Sequence, residues 1–192
     1  MTEAHEPWDI AEMHARALRI CGGAFASITS DVMDEQTLWA GSDVRTLANH
    51  IIGAMQSTPG LLAGEDVLVI SRSFRSDLLG ADPVAAYEAA ASMAADAVYA
   101  SGAMTATVEY NGQEITGAVF VALRTVRMLV QGWDLAQVTE VPYRVPSDLA
   151  AMALEHIGEH PEFYDGSEFG PEVPAADDAD DWTRVLARLG RK

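Results

Sequence analysis

The run from Gly117 to Thr139 constrains this chain most, because it has the length and apolar period of a buried helix yet sets Arg127, Gln131 and Asp134 on its apolar face. At roughly 100° per residue, Phe120, Leu123, Arg127, Gln131 and Asp134 share one wedge, with Arg124 and Val130 at its margins. A guanidinium on a face with Phe120 and Leu123 needs a partner or a hydrated cavity, since burying it unpaired costs several kcal/mol, comparable to the stability of a whole domain. Asp134 or a bound anion would serve. In the other arrangement the face turns outward near one end and Arg127 snorkels to water.

The rest of the chain reads as further helices around this one. From about Trp8 to Ser30, Ile10, Met13, Ala17, Ile20, Ala24 and Ile28 recur at steps of three and four, which predicts a first amphipathic helix. Asp31 to Gly41 is turn-like, with Leu38 and Trp39 tucked against the core. Ser42 is the expected cap of a second helix, with Asp43 near the positive end of its dipole and Pro59-Gly60 ending or kinking it. His50 falls on the flank of that helix's apolar stripe, where it either borders a cavity or is satisfied by a carbonyl at a helix interface. Val67 to Ile70 reads as a short strand or an extended lid, with Arg72 and Arg75 bracketing Phe74, or else as part of a surface crossover. Asp82-Pro83 opens a third helix running to Ala100. Alternation from Met104 to Thr116 around Asn111-Gly112 predicts a short hairpin with a type I′ turn. The fourth helix follows, Ser147 caps a fifth to about Glu159, and Asp177 to Asp181 start a last helix through Leu189.

Composition excludes several functions. The chain has 192 residues, 49% of them hydrophobic, and suits one soluble domain. A formal charge of -17 repels polyanions, which argues against nucleic acid and anionic membrane surfaces as partners. No apolar run is long enough for a membrane span and no basic segment precedes one, so the expected compartment is cytoplasmic. Cys21 is the only cysteine and Lys192 the only lysine, which removes an internal disulfide and makes a buried catalytic lysine implausible. His156 and His160 stand at a spacing that can chelate a metal with Glu155 or Glu159, but histidine is also favoured near a helix C-terminus by the dipole alone.

Three motifs occur in order: Leu-Ala-Asn-His-Ile-Ile-Gly around His50, Gln-Gly-Trp-Asp-Leu-Ala from Gln131, and a tail with Phe-Gly-Pro-Glu-Val-Pro and Arg-Val-Leu-Ala-Arg-Leu-Gly-Arg. Together they resemble the actinobacterial DinB-like (DinB/YfiT) family, which includes mycothiol-dependent maleylpyruvate isomerases and related metal-binding proteins. The resemblance covers nearly the whole chain. It implies a mainly α fold: a DinB/YfiT-like four-helix bundle with a short β-hairpin and additional C-terminal helices, often a homodimer. It implies one domain over 1–192, with 165–192 packed on the bundle as an extension.

The resemblance also implies a divalent metal, zinc or nickel, held by three side chains whose positions match His50, Arg127 and Gln131. Arginine offers no lone pair and repels a cation, and glutamine is a weak neutral ligand, so two of three ligand positions are lost and no metal cofactor is expected. The leading expectation is then a metal-independent isomerase- or cyclase-like enzyme, or a small-molecule binder. In it His50, Arg127 and Gln131 act on the ligand, and Asp134, Phe120 and Trp133 help to hold it. The alternatives are a non-catalytic pseudoenzyme, in which Arg127 pairs internally and plugs the vacated site, and a metal-dependent, mycothiol-linked transferase or isomerase.

Overall fold

Asp9 opens helix α1, Ile10–Phe25, by accepting from the backbone N–H of Glu12 at 3.1 Å. The computed structural model describes residues 8–65, 76–164 and 168–192. The Val67 to Ile70 element, with Arg72, Phe74 and Arg75, lies outside the described residues. Helix α1 stops five residues short of the Ser30 end that periodicity suggests. After Gly22-Gly23, which favour a helix poorly, Ser27 and Ile28 bond three residues back, and the Ser27 hydroxyl takes the Gly23 carbonyl at 3.3 Å. Ile28 still packs on the core.

Helix α2, Val44–Leu62, is capped by Asp43, which accepts from Thr46 N–H at 2.7 Å, and not by Ser42, whose hydroxyl instead bonds the Trp39 carbonyl. It continues through Pro59. Of the turn residues before it, Trp39 is buried as expected but Leu38 faces solvent at 59% exposure. Helix α3, Pro83–Tyr99, has the cap and first-turn proline that its sequence predicts, with Asp82 accepting from Ala85 N–H at 3.0 Å. A single 3₁₀ turn, Ala103–Thr105, leads into strands β1, Thr107–Tyr110, and β2, Gln113–Thr116. They pair antiparallel, Thr107 opposite Thr116, and Asn111 and Gly112 both take positive φ at the turn, as a type I′ hairpin requires.

Helix α4, Gly117–Thr139, is the central element, buried from Thr125 through Ala136. It packs most extensively on α1 and also on α2, while α3 packs on α2 and α1, so these four make the bundle. Gly132 lies where α4 passes α1. A Cβ there would stand 2.5 Å from the Tyr143 hydroxyl and 3.0 Å from Cys21 Sγ, so the glycine of Gly-Trp-Asp-Leu-Ala is set by close packing. Burial pushes the Cys21 thiol up to about 12, which makes it core filling and no nucleophile.

Helix α5, Ser147–Glu159, begins after Pro146 with no side-chain cap, so Ser147 is its first residue and not its cap. Asp148 in its first turn holds Arg16 of α1 through Oδ1 and Nη2 at 2.8 Å. A 3₁₀ turn, Pro161–Phe163, follows, and helix α6, Asp181–Arg188, capped by Asp180, packs on α5. The architecture is mainly α with one small hairpin. Among the described residues no helix is long and apolar enough to cross a membrane.

Candidate functional site

The polar wedge of α4 does not stay together in the fold. Asp134 is 0% exposed and forms a two-pronged ion pair with Arg191, accepting from Nε at 3.1 Å and Nη2 at 2.6 Å. Arg191 is 3% exposed and reaches it because Gly190, at φ +76°, crosses Gly170 so closely that a Cβ would lie 2.6 Å from the Gly170 Cα. The glycines of the two tail motifs are therefore a matched pair. Burial pushes the Asp134 carboxyl above its ordinary value, and the Arg191 guanidinium pulls it part of the way back. Trp133 lines a different surface, a groove shared with Leu38, Gln137 and Lys192. Phe120 sits in the core beneath Arg124, whose Cζ lies 5.4 Å from its ring centre.

Arg127 has an internal carboxylate. Its Nη1 donates to Glu168 Oε2 at 2.6 Å and its Nη2 to the Phe163 carbonyl at 2.7 Å. The Phe169 ring stands between two guanidiniums, 5.5 Å from Arg127 Cζ and 5.2 Å from Arg191 Cζ. Arg191 Nη2 also reaches the Glu168 carbonyl at 3.4 Å, so Glu168-Phe169 straps both arginines to the bundle.

Arg127 and Gln131 share a cavity with residues that wheel geometry did not bring forward. It is a small, partly open space of about 300 Å³, solvent at its mouth included. Its wall includes His14 from α1, Met55 and Thr58 from α2, and Arg124, Arg127 and Gln131 from α4. Four buried nitrogens of these residues have no hydrogen-bond partner among the described residues: His14 Nε2, Arg124 Nε, Arg127 Nε and Gln131 Nε2. Buried polar atoms are paired in the great majority of cases, so four such atoms on residues that line one space mark it as built for something polar.

Arg124 is the most telling of these. Its Nη2 donates to the Ala54 carbonyl at 3.1 Å and to Ser57 Oγ at 2.7 Å, both neutral, and among the described residues no carboxylate pairs with it. Its environment lowers its pKa, burial foremost, yet arginine stays charged at neutral pH. Ala54 also accepts from the Ser57 and Thr58 hydroxyls, so this one carbonyl collects donors a turn before Pro59.

His50 stands beside the cavity without lining it. It is half-buried, its ring 4.5 Å from that of Trp39, and burial outweighs the nearby Glu168 carboxylate to hold it down at about 4. The three positions that the DinB-like resemblance makes metal ligands do not fit a divalent ion: Arg127 is a cation with its own carboxylate, and Arg124 adds a second positive charge to the same wall. Among the described residues no group of three or more His, Cys, Asp or Glu side chains gathers at metal distance. His156 uses both ring nitrogens, Nε2 donating to the Val119 carbonyl at 3.1 Å and Nδ1 accepting from Tyr164 at 2.8 Å, which leaves no lone pair to chelate with His160.

Sequence reasoning missed His14 as a wall residue and left Arg124 at the wedge margin. The signals were present: His14 is one turn from Ile10, Ala17 and Leu18 on the stripe of α1, and Arg124, Arg127 and Gln131 follow at steps of three and four.

No family model matches the chain, and no solved structure matches it. Two relatives from strains of Mycobacterium tuberculosis, uncharacterized protein MT0763 and uncharacterized protein Rv0738, are each 30% identical over 183 residues, spanning 93% of this chain and 95% of the relative. With similarity running through nearly the full length of both sequences, the chain belongs to the family of these mycobacterial proteins.

Proposed function

We propose that this chain is a metal-independent binder of a small anionic molecule on a DinB/YfiT-like helical scaffold, with the groups for isomerase- or cyclase-type chemistry in the same cavity. The observation that carries this reading is Arg124, a half-buried guanidinium with no carboxylate partner among the described residues, on the wall of a cavity that also carries unpartnered nitrogens of His14, Arg127 and Gln131. A carboxylate, enolate or oxyanion there would supply the missing counter-charge, and a preorganised guanidinium in a dry site is the kind of group that stabilises developing negative charge. Relative to the expectation from sequence, the anion's partner moves from Arg127 to Arg124, Gln131 keeps its place, and His14 takes the position expected of His50.

Calorimetric titration of the full chain with acetate and propionate at low ionic strength tests this. Binding is expected, and Arg124→Gln is expected to weaken it at least tenfold while Glu168→Gln leaves the ion pair broken but the anion bound. Equal affinity of wild type and Arg124→Gln for every carboxylate would sink the reading.

The Arg127–Glu168 pair favours a second reading, a non-catalytic protein whose former site is plugged from within. In that case no carboxylate binds, and Arg124→Met raises stability by removing a half-buried charge that no carboxylate bonds among the described residues.

A further inference from the structure

The cavity wall sorts its unpartnered atoms by chemistry. Arg124 Nε, Arg127 Nε and the Gln131 amide nitrogen are donors. His14 Nε2 is the exception, and its neighbours decide this. His14 is 2% exposed, and its Nδ1 lies 3.0 Å from Thr125 Oγ1. The Thr125 hydroxyl has one proton, which it gives to the Val121 carbonyl at 2.7 Å. Two oxygens so close need a proton between them, so Thr125 can only accept from His14. Nδ1 therefore carries the imidazole proton, and Nε2 presents a bare lone pair to the cavity. Burial, with Arg124 nearby, holds His14 at about 4, which keeps that lone pair free at neutral pH.

Three donors and one acceptor on a wall describe the complement: a molecule that is mostly acceptor and carries one donor. Arg124 demands that the acceptor part be anionic and that the donor be neutral, because its guanidinium would repel an ammonium, whereas Arg127 already has Glu168. The space admits only a few heavy atoms, so the two functions sit on neighbouring carbons. We infer that the ligand is a small 2-hydroxycarboxylate, its carboxylate set against Arg124 and its hydroxyl donating to His14 Nε2. This rests on the anion-binding reading above and adds the class of molecule to it.

Calorimetry at pH 7.5 with D- and L-lactate, propionate, pyruvate and alanine decides the matter, using the full chain. One lactate enantiomer is expected to bind at least tenfold tighter than propionate or pyruvate, which lack the donor, and alanine not to bind. Thr125→Val removes the hydroxyl that fixes the ring while keeping its bulk, and is expected to bring the lactate-to-propionate ratio towards one. Nitrogen-15 spectra of His14 supply a readout that needs no ligand and no variant: a proton on Nε2 overturns the inference. Equal wild-type affinity for lactate and propionate, both lost in Arg124→Gln, overturns this inference and leaves the anion-binding reading standing. Absence of binding by any carboxylate overturns both.

Discussion

At the scale of single residues, the molecule tolerates charge in its interior only by fixing each group's protonation. His14, His50 and His156 are all held at about 4, in each case mainly by burial, so all three are neutral in the native state at pH 7. Unfolding returns them to about 6.5, and below that pH the unfolded chain takes up protons that the native one refuses. Stability is therefore full above about pH 6.5 and is lost as the pH falls towards 4, by roughly 3 kcal/mol at most for each fully buried ring. Urea midpoints at pH 7 and pH 5 should show the drop, and His14→Gln should flatten part of it. A midpoint that does not move would mean that these imidazoles take up protons as readily in the native protein as in the unfolded chain. The neutral ring of His14 and the charged guanidinium of Arg124 are thus two settings of one small space, one enforced by burial and the other by the intrinsic basicity of arginine.

At the scale of elements, α4 and the tail depend on each other through Asp134 and Arg191. A buried ion pair stabilises little in total, but breaking it leaves a lone charge out of water. Arg191→Ala is expected to cost about 3–5 kcal/mol, whereas Asp134→Leu with Arg191→Met is expected to restore most of it. Chemical denaturation of the single and double variants measures this, and a double variant no better than the single one would show that the pair matters for more than its charge.

The same contrast explains what could be read from sequence. The extent of helix α4 was legible because its helical period runs on through many turns. The hairpin was legible because Asn-Gly allows few alternatives. The wedge containing Arg127, Gln131 and Asp134 was also legible, but its division was not. A helical wheel gives direction around one axis and says nothing of which distant segment arrives there. Glu168 and Arg191 come from tail residues with no periodic relation to α4, and the bend that brings Arg191 home depends on two glycines meeting, which only the fold reveals. Ser42 and Ser147 failed as caps because each has a neighbour that suits the geometry better: Asp43 in one case, and Pro146 with its extended backbone in the other.

At the scale of the whole molecule, a net charge of -17 sits on a chain that, among the described residues, buries two of its twelve cations, Arg127 and Arg191. The exposed carboxylates repel one another, and salt screens exposed charges far more than buried pairs. Raising salt to about 0.5 M is therefore expected to raise the unfolding temperature, because relief of surface repulsion outweighs the small loss at Arg127–Glu168 and Arg191–Asp134. A scanning melt across salt concentrations tests this, and a falling melting temperature would place the dominant electrostatics inside.

The Arg127–Glu168 contact also makes its two partners unequal. Arginine at 127 without a carboxylate at 168 is left as a buried cation, whereas Glu168, which is partly open to solvent, can be hydrated alone. Loss of the acid is therefore the costlier half of the pair.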